Sequence, residues 1–229
     1  MRSTGLALAA ACTAWLAGPS AGAAQDITSP FRFVDERHSA QLVYGYAWAD
    51  EGTVGLASAP GTLFGARYGF RVGGPLTLHV ETSYFPSTRT VFDLTDDEEP
   101  TRQAVGEADI DLFLLNAGVR FGVTGPRAYH GLMPYVLVMG GGAFDLADPS
   151  PVETDVPAEN RFDFGSAFGG VFALGTDLLV GSRLAIGVEA RQSIWKIETP
   201  EPFILADTDL PQEEWVGGPT VLVGATVRF

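Results

Sequence analysis

The chain has 229 residues, of which 18% are charged and 11% aromatic, with 28 glycines and a formal net charge of −14 at pH 7. This length suits one domain, and the many glycines and aromatic residues favour a β protein in which backbones approach closely. The negative charge argues against nucleic-acid partners, because binding phosphates requires a basic surface.

Residues 1–24 are predicted to be a secretory signal peptide. Arg2 precedes an apolar run from Leu6 to Ala17, which is too short to span a bilayer as a helix. Small residues mark the expected cleavage region, at Ala21, Ala23 and Ala24. Residues 25–38 are then predicted to form a periplasmic N-terminal segment, and they carry no interpretable motif.

The only cysteine, Cys12, lies inside the predicted signal peptide. After cleavage at Ala23 or Ala24 the chain would keep no cysteine, which excludes disulfides, a thiolate nucleophile and zinc–thiolate sites. Cleavage before Cys12, as in a lipoprotein, is an alternative, although Ala9 stands where such signals usually have leucine.

From residue 39 onward, extended stretches alternate between an uncharged parity and a parity that carries ionisable groups. A tilted strand of about ten residues crosses a bilayer, with alternate side chains facing lipid. Eight strands are predicted, at residues 39–50, 61–72, 75–86, 108–123, 133–144, 163–180, 183–195 and 217–229.

Two of these strands fit the alternation less well. The stretch 133–144 is apolar on both parities, and a bulge at Gly140–Gly142 is the hypothesis that explains it. The stretch 163–180 fits if its outward residues are Phe164, Phe168, Phe172 and Leu174.

The charged parity is predicted to face the lumen, where Asn116 and the ionisable side chains form a hydrogen-bonded ionic network. The interior of an eight-stranded barrel is just wide enough for side chains to fill, so a polar plug is favoured. The alternative is a small conductance gated by rearrangement of the ion pairs. The predicted network consists of Arg67, Arg71, His79, Glu81, Arg120, Glu189, Arg191 and Arg228.

The connections alternate between short and long. Gly73–Gly74 and Gly181–Ser182 mark tight turns, and residues 124–132 form a medium one. The long connections contain 21 of the 28 acidic residues and only 4 of the 14 Lys and Arg residues, in segments 49–61, 87–109, 145–163 and 196–216. Short turns on one side and long loops on the other are typical of outer-membrane barrels, whose long loops are extracellular.

Soluble β architectures explain this pattern less well. A lipocalin-like barrel has a polar exterior, and the charged face found here could not form the core of a soluble sandwich without pairing its charges. The predicted fold is therefore all-β: an eight-stranded antiparallel up-and-down transmembrane β-barrel over residues 39–229, located in the outer membrane.

At its end the chain carries apolar residues at every second position before a final aromatic: Val221, Val223, Ala225, Val227 and Phe229. This ending resembles the signal read by the barrel assembly machinery. With the signal peptide and the eight-strand pattern, it resembles the small bacterial outer-membrane barrels of the OmpA transmembrane-domain and OmpX type. The resemblance implies that the assembly machinery, membrane lipid and lipopolysaccharide are the partners.

Two other groups of residues are candidates for chemical sites. His79, Glu81 and Ser83 share a face, but same-face neighbours on a strand lie about 7 Å apart, beyond the hydrogen-bond reach that a catalytic triad requires. The acidic run Asp96–Glu99 is predicted to be solvated, with weak binding of divalent cations as an alternative. No cofactor, dedicated metal site or enzymatic activity is expected.

The aromatic residues on the outward parity form two sets that predict membrane-interface belts. The upper set is Trp48, Phe64, Tyr84 and Phe113, and the lower set is Phe70, Phe121 and Phe229. The function expected from all these features is that of a structural or surface-interaction protein that displays acidic extracellular loops. A narrow channel for small or hydrophobic solutes is the alternative, and a lipid-modifying hydrolase is the third hypothesis.

Overall fold

The computed structural model describes residues 29–95 and 100–229. The predicted signal peptide, its cleavage region and the acidic run Asp96–Glu99 lie outside the described residues. The chain divides into the units Met1–Pro30 and Phe31–Phe229, and the second unit contains the fold described below.

Eight long strands close into an antiparallel barrel, which confirms the predicted fold. Each pairs with its neighbours along the chain, and β10 pairs back to β2 to complete the ring. The barrel strands are β2 (His38–Ala47), β3 (Gly61–Gly73), β4 (Leu76–Leu94), β5 (Arg102–Gly122), β7 (Leu132–Asp145), β8 (Ser166–Leu179), β9 (Leu184–Glu198) and β10 (Glu213–Arg228).

Short elements lie at both ends of this barrel. Strand β6 (Arg127–Tyr129) lies within the connection from β5 to β7 and pairs with β1 (Phe31–Phe33). Helices α1 (Pro151–Asp155) and α2 (Glu201–Ala206) and a 3-10 helix (Ala158–Asn160) belong to two long connections. No helix in the described part of the chain is long and apolar enough to cross a membrane.

The two ends of the barrel differ in how strands are connected. The turn end carries the connections of residues 74–75, 123–131 and 180–183, together with the start of β2. The loop end carries the connections of residues 48–60, 95–101, 146–165 and 199–212. At the turn end the seam between first and last strands is held by two backbone hydrogen bonds between His38 and Phe229, of 2.9 and 3.0 Å.

The uncharged parity faces outward, as the alternation predicts. Leu42, Phe168 and Ile186 are 70%, 69% and 55% exposed, whereas Val43 and Ala185 on the opposite parity are buried. Such an apolar exterior with alternate residues turned inward is the arrangement of membrane barrels. The prediction that Phe164 faces outward was wrong. Phe164 precedes β8 and is only 9% exposed, because it turns into the barrel mouth at the loop end.

The connection predicted at 87–109 is largely a hairpin, so the loop boundaries expected there were wrong. Strands β4 and β5 remain paired as far as Leu94 and Arg102, with one irregularity after Val91. Threonine, valine and phenylalanine in this stretch suit a pleated strand. Inward side chains such as Arg89 and Ile110 are buried, which gives the extension a packed face.

The glycine run in β7 contains no bulge. Residues Gly140–Gly142 keep an unbroken register with both β5 and β8. The strand is apolar on both parities because its inward side chains, Tyr135, Leu137 and Met139, are buried against β8 rather than charged.

Candidate functional site

The lumen is the candidate functional site, and its middle layer is a cluster of four charged side chains. Arg67 on β3 lies opposite Glu81 on β4 in the strand register, and Glu189 and Arg191 project inward from β9. Arg67 Nε donates to Glu81 Oε2 at 2.7 Å and its Nη1 donates to Glu189 Oε2 at 2.8 Å. Arg191 Nη1 donates to Glu81 Oε1 at 2.6 Å. We call these four residues the central ionic cluster.

Neutral side chains add hydrogen bonds to this cluster, although Arg191 Nε has no partner among the described residues. Tyr135 Oη donates to Glu189 Oε2 at 2.8 Å, and Ser83 Oγ donates to Glu81 Oε1 at 2.9 Å. Gln41 Oε1 accepts from Arg67 at 3.3 Å. The cluster holds two positive and two negative charges, each residue being at most 4% exposed. Burial of ions is tolerated here because every charge has a partner of opposite sign.

A second charged group, the turn-end cluster, lies nearer the short connections. Asp177 on β8 is fully buried, and its Oδ2 accepts from Arg120 at 2.7 Å and from Arg228 at 2.8 Å. The Arg120 guanidinium also stacks 3.6 Å from the centre of the Tyr135 ring. Two arginines therefore share one carboxylate oxygen.

Arg71 and His79 were predicted to belong to the ionic network, but the structure places them differently. Arg71 donates to the backbone oxygens of Val34 at 2.5 Å and Asp35 at 2.7 Å, so it fastens the N-terminal segment to the turn end. His79 is 4% exposed, and neither of its ring nitrogens has a hydrogen-bond partner within the described residues. His79 lies opposite glycines on both neighbouring strands, Gly69 and Gly118, so neither register partner offers a side chain.

The lumen at the loop end is filled by apolar side chains, a feature that the parity analysis did not predict. Phe85, Ile110, Leu112 and Leu222 are at most 1% exposed. We call this cluster the apolar cap, and its buried members are Val43, Ala47, Ala49, Val54, Leu56, Ala57, Leu63, Phe85, Ile110, Leu112, Leu114, Ala143, Phe162, Phe164, Ala167, Trp195, Ile197, Phe203, Val216 and Leu222.

The long connections contribute to the apolar cap by folding over the barrel mouth. Val54 and Leu56 come from the connection after β2, and Phe203 comes from α2. Polar contacts with the strands hold them in place: the Arg89 guanidinium on β4 pairs with Glu153 in α1. Burial lowers the pKa of Arg89, which lies beyond the upper aromatic belt, although Glu153 opposes this effect.

Further polar contacts tie the first long connection to its neighbours. Both carboxylate oxygens of Glu214 accept from the Thr53 backbone at 2.9 Å, and the Thr53 hydroxyl donates to Glu214 at 2.7 Å. Arg102 donates to the Val54 carbonyl and stacks over the Phe92 ring at 4.6 Å. The cap is therefore closed by packing from three connections and by hydrogen bonds that tie two of them to the strands.

The remaining chemical candidates are placed as follows. Ser83 bonds to Glu81 rather than to His79, so these three residues do not form a nucleophile–base pair. Among the described residues, no group of three or more His, Cys, Asp or Glu side chains is arranged to hold a metal ion. Val221, Val223, Val227 and Phe229 of the predicted assembly signal are 43–56% exposed on the outward face.

Asp177 and Tyr135 are the important lumen residues that the sequence analysis missed. Asp177 stands at odd parity in a strand whose outward residues, Phe172 and Leu174, are even, so parity alone would have placed it inside. For Tyr135 no charge pattern was present in β7, and its bond to Glu189 depends on the closure of the barrel.

Comparisons with known proteins show which solved structures have a similar fold. Searches of family models and of curated proteins found no match. Neisserial surface protein A matches with a TM-score of 0.51 and 14% identity over 88% of this chain and 98% of that one. OprG from Pseudomonas aeruginosa matches with a TM-score of 0.51 and 11% identity over 85% of this chain and 97% of that one.

These similarities concern the fold, since the identities are low. The closed eight-stranded ring and its apolar exterior are the fold of small outer-membrane β-barrels. The chain has the fold of that class, with Neisserial surface protein A and OprG among the solved structures it is similar to.

Proposed function

We propose that this protein is a non-conducting outer-membrane barrel that presents an acidic surface to basic partners outside the cell. The observation that carries the proposal is the filled lumen. The apolar cap, the central ionic cluster and the turn-end cluster follow one another along the barrel axis. A barrel closed in three layers serves as a rigid support for its loops rather than as a passage.

Two voids among the lumen side chains are too small for solute passage. One at the turn end measures about 40 Å³, and one between Asn116 and Trp195 measures about 10 Å³. A single water molecule occupies roughly 10–15 Å³ on this scale, so the larger void holds a few waters and the smaller one holds at most one.

The loop end supplies the acidic surface. The charge of its four predicted connections is strongly negative, with 21 acidic and 4 basic residues. Acidic residues that are exposed at this end are Asp50, Glu51, Glu107, Asp109, Asp148, Asp155, Glu159, Asp163, Glu198, Glu201, Asp207, Asp209 and Glu213. A surface of one sign attracts partners of the opposite sign and accelerates their encounter.

The proposed orientation places the turn end in the periplasm and the loop end outside. Phe113 and Phe121 of the two aromatic belts are eight residues apart on β5, roughly 27 Å along the strand, which suits a tilted crossing of the hydrocarbon layer. Lipid and lipopolysaccharide then surround the outward face, with weak divalent bridging at the acidic loops. The assembly machinery would read the segment from Val221 to Phe229.

Conductance distinguishes this proposal from the narrow-channel alternative. Purified protein, shown to be folded by heat-modifiable gel mobility, is inserted into planar lipid bilayers, with a general porin as the insertion control. We expect no single-channel steps above the lipid baseline at either polarity. Reproducible steps from the folded protein would favour the channel instead.

Binding of a basic probe tests the surface role. The barrel is placed in phosphatidylcholine nanodiscs and titrated with labelled oligolysine at rising NaCl. We expect affinity to fall steeply with salt, because the attraction is electrostatic. A variant with Asp155→Asn, Glu159→Gln, Glu201→Gln and Asp209→Asn should bind at least tenfold more weakly.

The matched control neutralises acids at the turn end instead, by Asp35→Asn and Glu36→Gln. It should bind oligolysine like the unchanged protein. Equal weakening of both variants, or binding that ignores salt, would contradict the proposed acidic surface at the loop end.

A further inference from the structure

The void of about 40 Å³ at the turn end is bordered by four arginines, Arg37, Arg71, Arg120 and Arg228. His38 and His79 also line it, and Glu36 is the acidic residue on its wall. The void opens toward the turn end, so small ions reach it without passing the apolar cap. It lies at the end of the barrel opposite the acidic surface.

Positive charge exceeds negative charge around this void. Arg120 and Arg228 both pair with the same carboxylate oxygen of Asp177. Arg71 binds only backbone carbonyls of Val34 and Asp35, which carry no net charge. Among the described residues Glu36 forms no ion pair with these arginines, so four arginines lie around the void with two carboxylates, only one of which is paired.

Unpartnered donors also border the void. His79 is 4% exposed and neither its Nδ1 nor its Nε2 has a partner, although a neutral imidazole carries one N–H donor. Arg228 Nε is likewise buried without a partner in the described structure. Buried donors are normally satisfied, so unmatched donors beside a void indicate that something accepts from them.

We propose that this void binds a small inorganic anion, held by Arg71, Arg120, Arg228 and the N–H of His79. Its volume is about three times the roughly 10–15 Å³ needed by one water, which admits a halide or one end of a phosphate. Guanidinium groups form charge-assisted hydrogen bonds with such anions. The site does not depend on the surface role, because it lies at the opposite end of the barrel.

Bromide provides a direct test, since it scatters anomalously and substitutes for chloride. Crystals of the folded barrel are soaked in sodium bromide, and we expect an anomalous peak between His79 and Arg228. In solution, bromide and phosphate should each raise the urea midpoint of unfolding above that seen in gluconate at equal ionic strength, since gluconate is too bulky to enter.

Two variants sharpen this test. His79→Leu keeps the volume but removes the donor, and should weaken apparent bromide affinity at least tenfold. Arg183→Gln removes an exposed arginine from the same end, outside the void, and should leave the affinity unchanged. No anomalous peak in the void, equal stabilisation by gluconate, or identical affinities of the two variants would overturn the proposal.

Should His79→Leu fail to fold, the crystal soak and the comparison of bromide with gluconate on the unchanged protein still decide the question. Stabilisation by both bromide and phosphate would assign the site to small anions in general.

Discussion

In the apolar cap, side chains such as Phe85 and Leu112 fill the barrel as they would fill the core of a soluble protein, whereas one layer lower Arg67 and Glu81 fill it with charge. Strand β9 runs through both regions: Trp195 belongs to the cap, and Arg191, two inward positions away, belongs to the central ionic cluster. The same backbone geometry therefore supports two different ways of closing a lumen.

The difference between the regions lies in how they respond to the loss of one member. The free energy gained from an apolar contact is roughly proportional to the buried area. Removing an apolar side chain therefore loses its transfer free energy and leaves a cavity. A buried ion pair leaves an uncompensated charge when one partner is removed, which costs more than the pair itself contributes. The central ionic cluster should thus be the more sensitive region.

The largest effect is expected from Glu81→Ala. Glu81 accepts from Arg67 and Arg191, so its loss leaves two buried arginines and only Glu189. Removal of one partner from a buried pair costs on the order of 3–5 kcal/mol. The free energy of unfolding, measured by urea titration in detergent micelles, should fall by about that amount.

The double variant Arg67→Ala/Glu81→Ala restores charge balance, because Arg191 and Glu189 remain. Its loss of stability should therefore be smaller than the sum of the two single losses, by more than about 1 kcal/mol. Strictly additive costs would show that Arg67 and Glu81 do not interact as described.

Much of this arrangement follows from sequence parity. A three-residue loop at Gly73–Gly74–Pro75 would pair Val72 with Leu76 and would set Arg67 opposite Glu81. Arg67 does lie opposite Glu81, and the outward faces of Leu42 and Ile186 follow from alternation. Near the turn the pairing departs from that register, since Gly73 rather than Val72 pairs with Leu76. The parity rule works because one slipped residue would put charge into lipid.

The apolar cap could not be predicted in the same way. Leu112 and Leu114 share the inward parity of Arg120, but they alternate with the equally apolar Phe113 and Leu115, so this stretch by itself shows no contrast between the two faces. Phe203 and Leu56 reach the lumen only because their connections fold back over the mouth, which depends on contacts far apart in sequence. The partners of Asp177, on β5 and β10, likewise become neighbours only when the barrel closes.

The cap should respond to truncation more mildly than the ionic cluster. Leu112 is fully buried, and Leu112→Ala should lower the free energy of unfolding by about 2–4 kcal/mol through lost burial and a residual cavity. The matched control is Leu174→Ala on the lipid-facing side, where Leu174 is 54% exposed. A control loss as large as that of Leu112→Ala would argue against a packed cap.

A smaller effect is expected where the turn-end layer is crowded. A methyl group at Gly69 would lie 2.5 Å from Ser39 Oγ and 3.0 Å from His79 Cε1, so Gly69→Ala should cost about 1–2 kcal/mol by overpacking. At Gly73 an added methyl group meets nothing within 4 Å, which makes Gly73→Ala the matched control. Equal free energies of unfolding for the two variants would mean that the side chains around Gly69 make room for the methyl group at little cost.

The smallest effect is expected from an ion pair outside both regions. Lys196 Nζ lies 2.5 Å from Glu213 Oε2 at the loop end, and their side chains are 38% and 51% exposed. Water already solvates both groups, so a double-mutant cycle with Lys196→Ala and Glu213→Ala should give a coupling free energy of only about 0.2–1 kcal/mol.

The coupling between Lys196 and Glu213 should shrink further at high salt, whereas that of Arg67 and Glu81 should persist, because buried pairs are screened much less. A salt-independent coupling at Lys196 and Glu213 would contradict their exposed position, and a salt-sensitive one at Arg67 and Glu81 would contradict the sealed lumen.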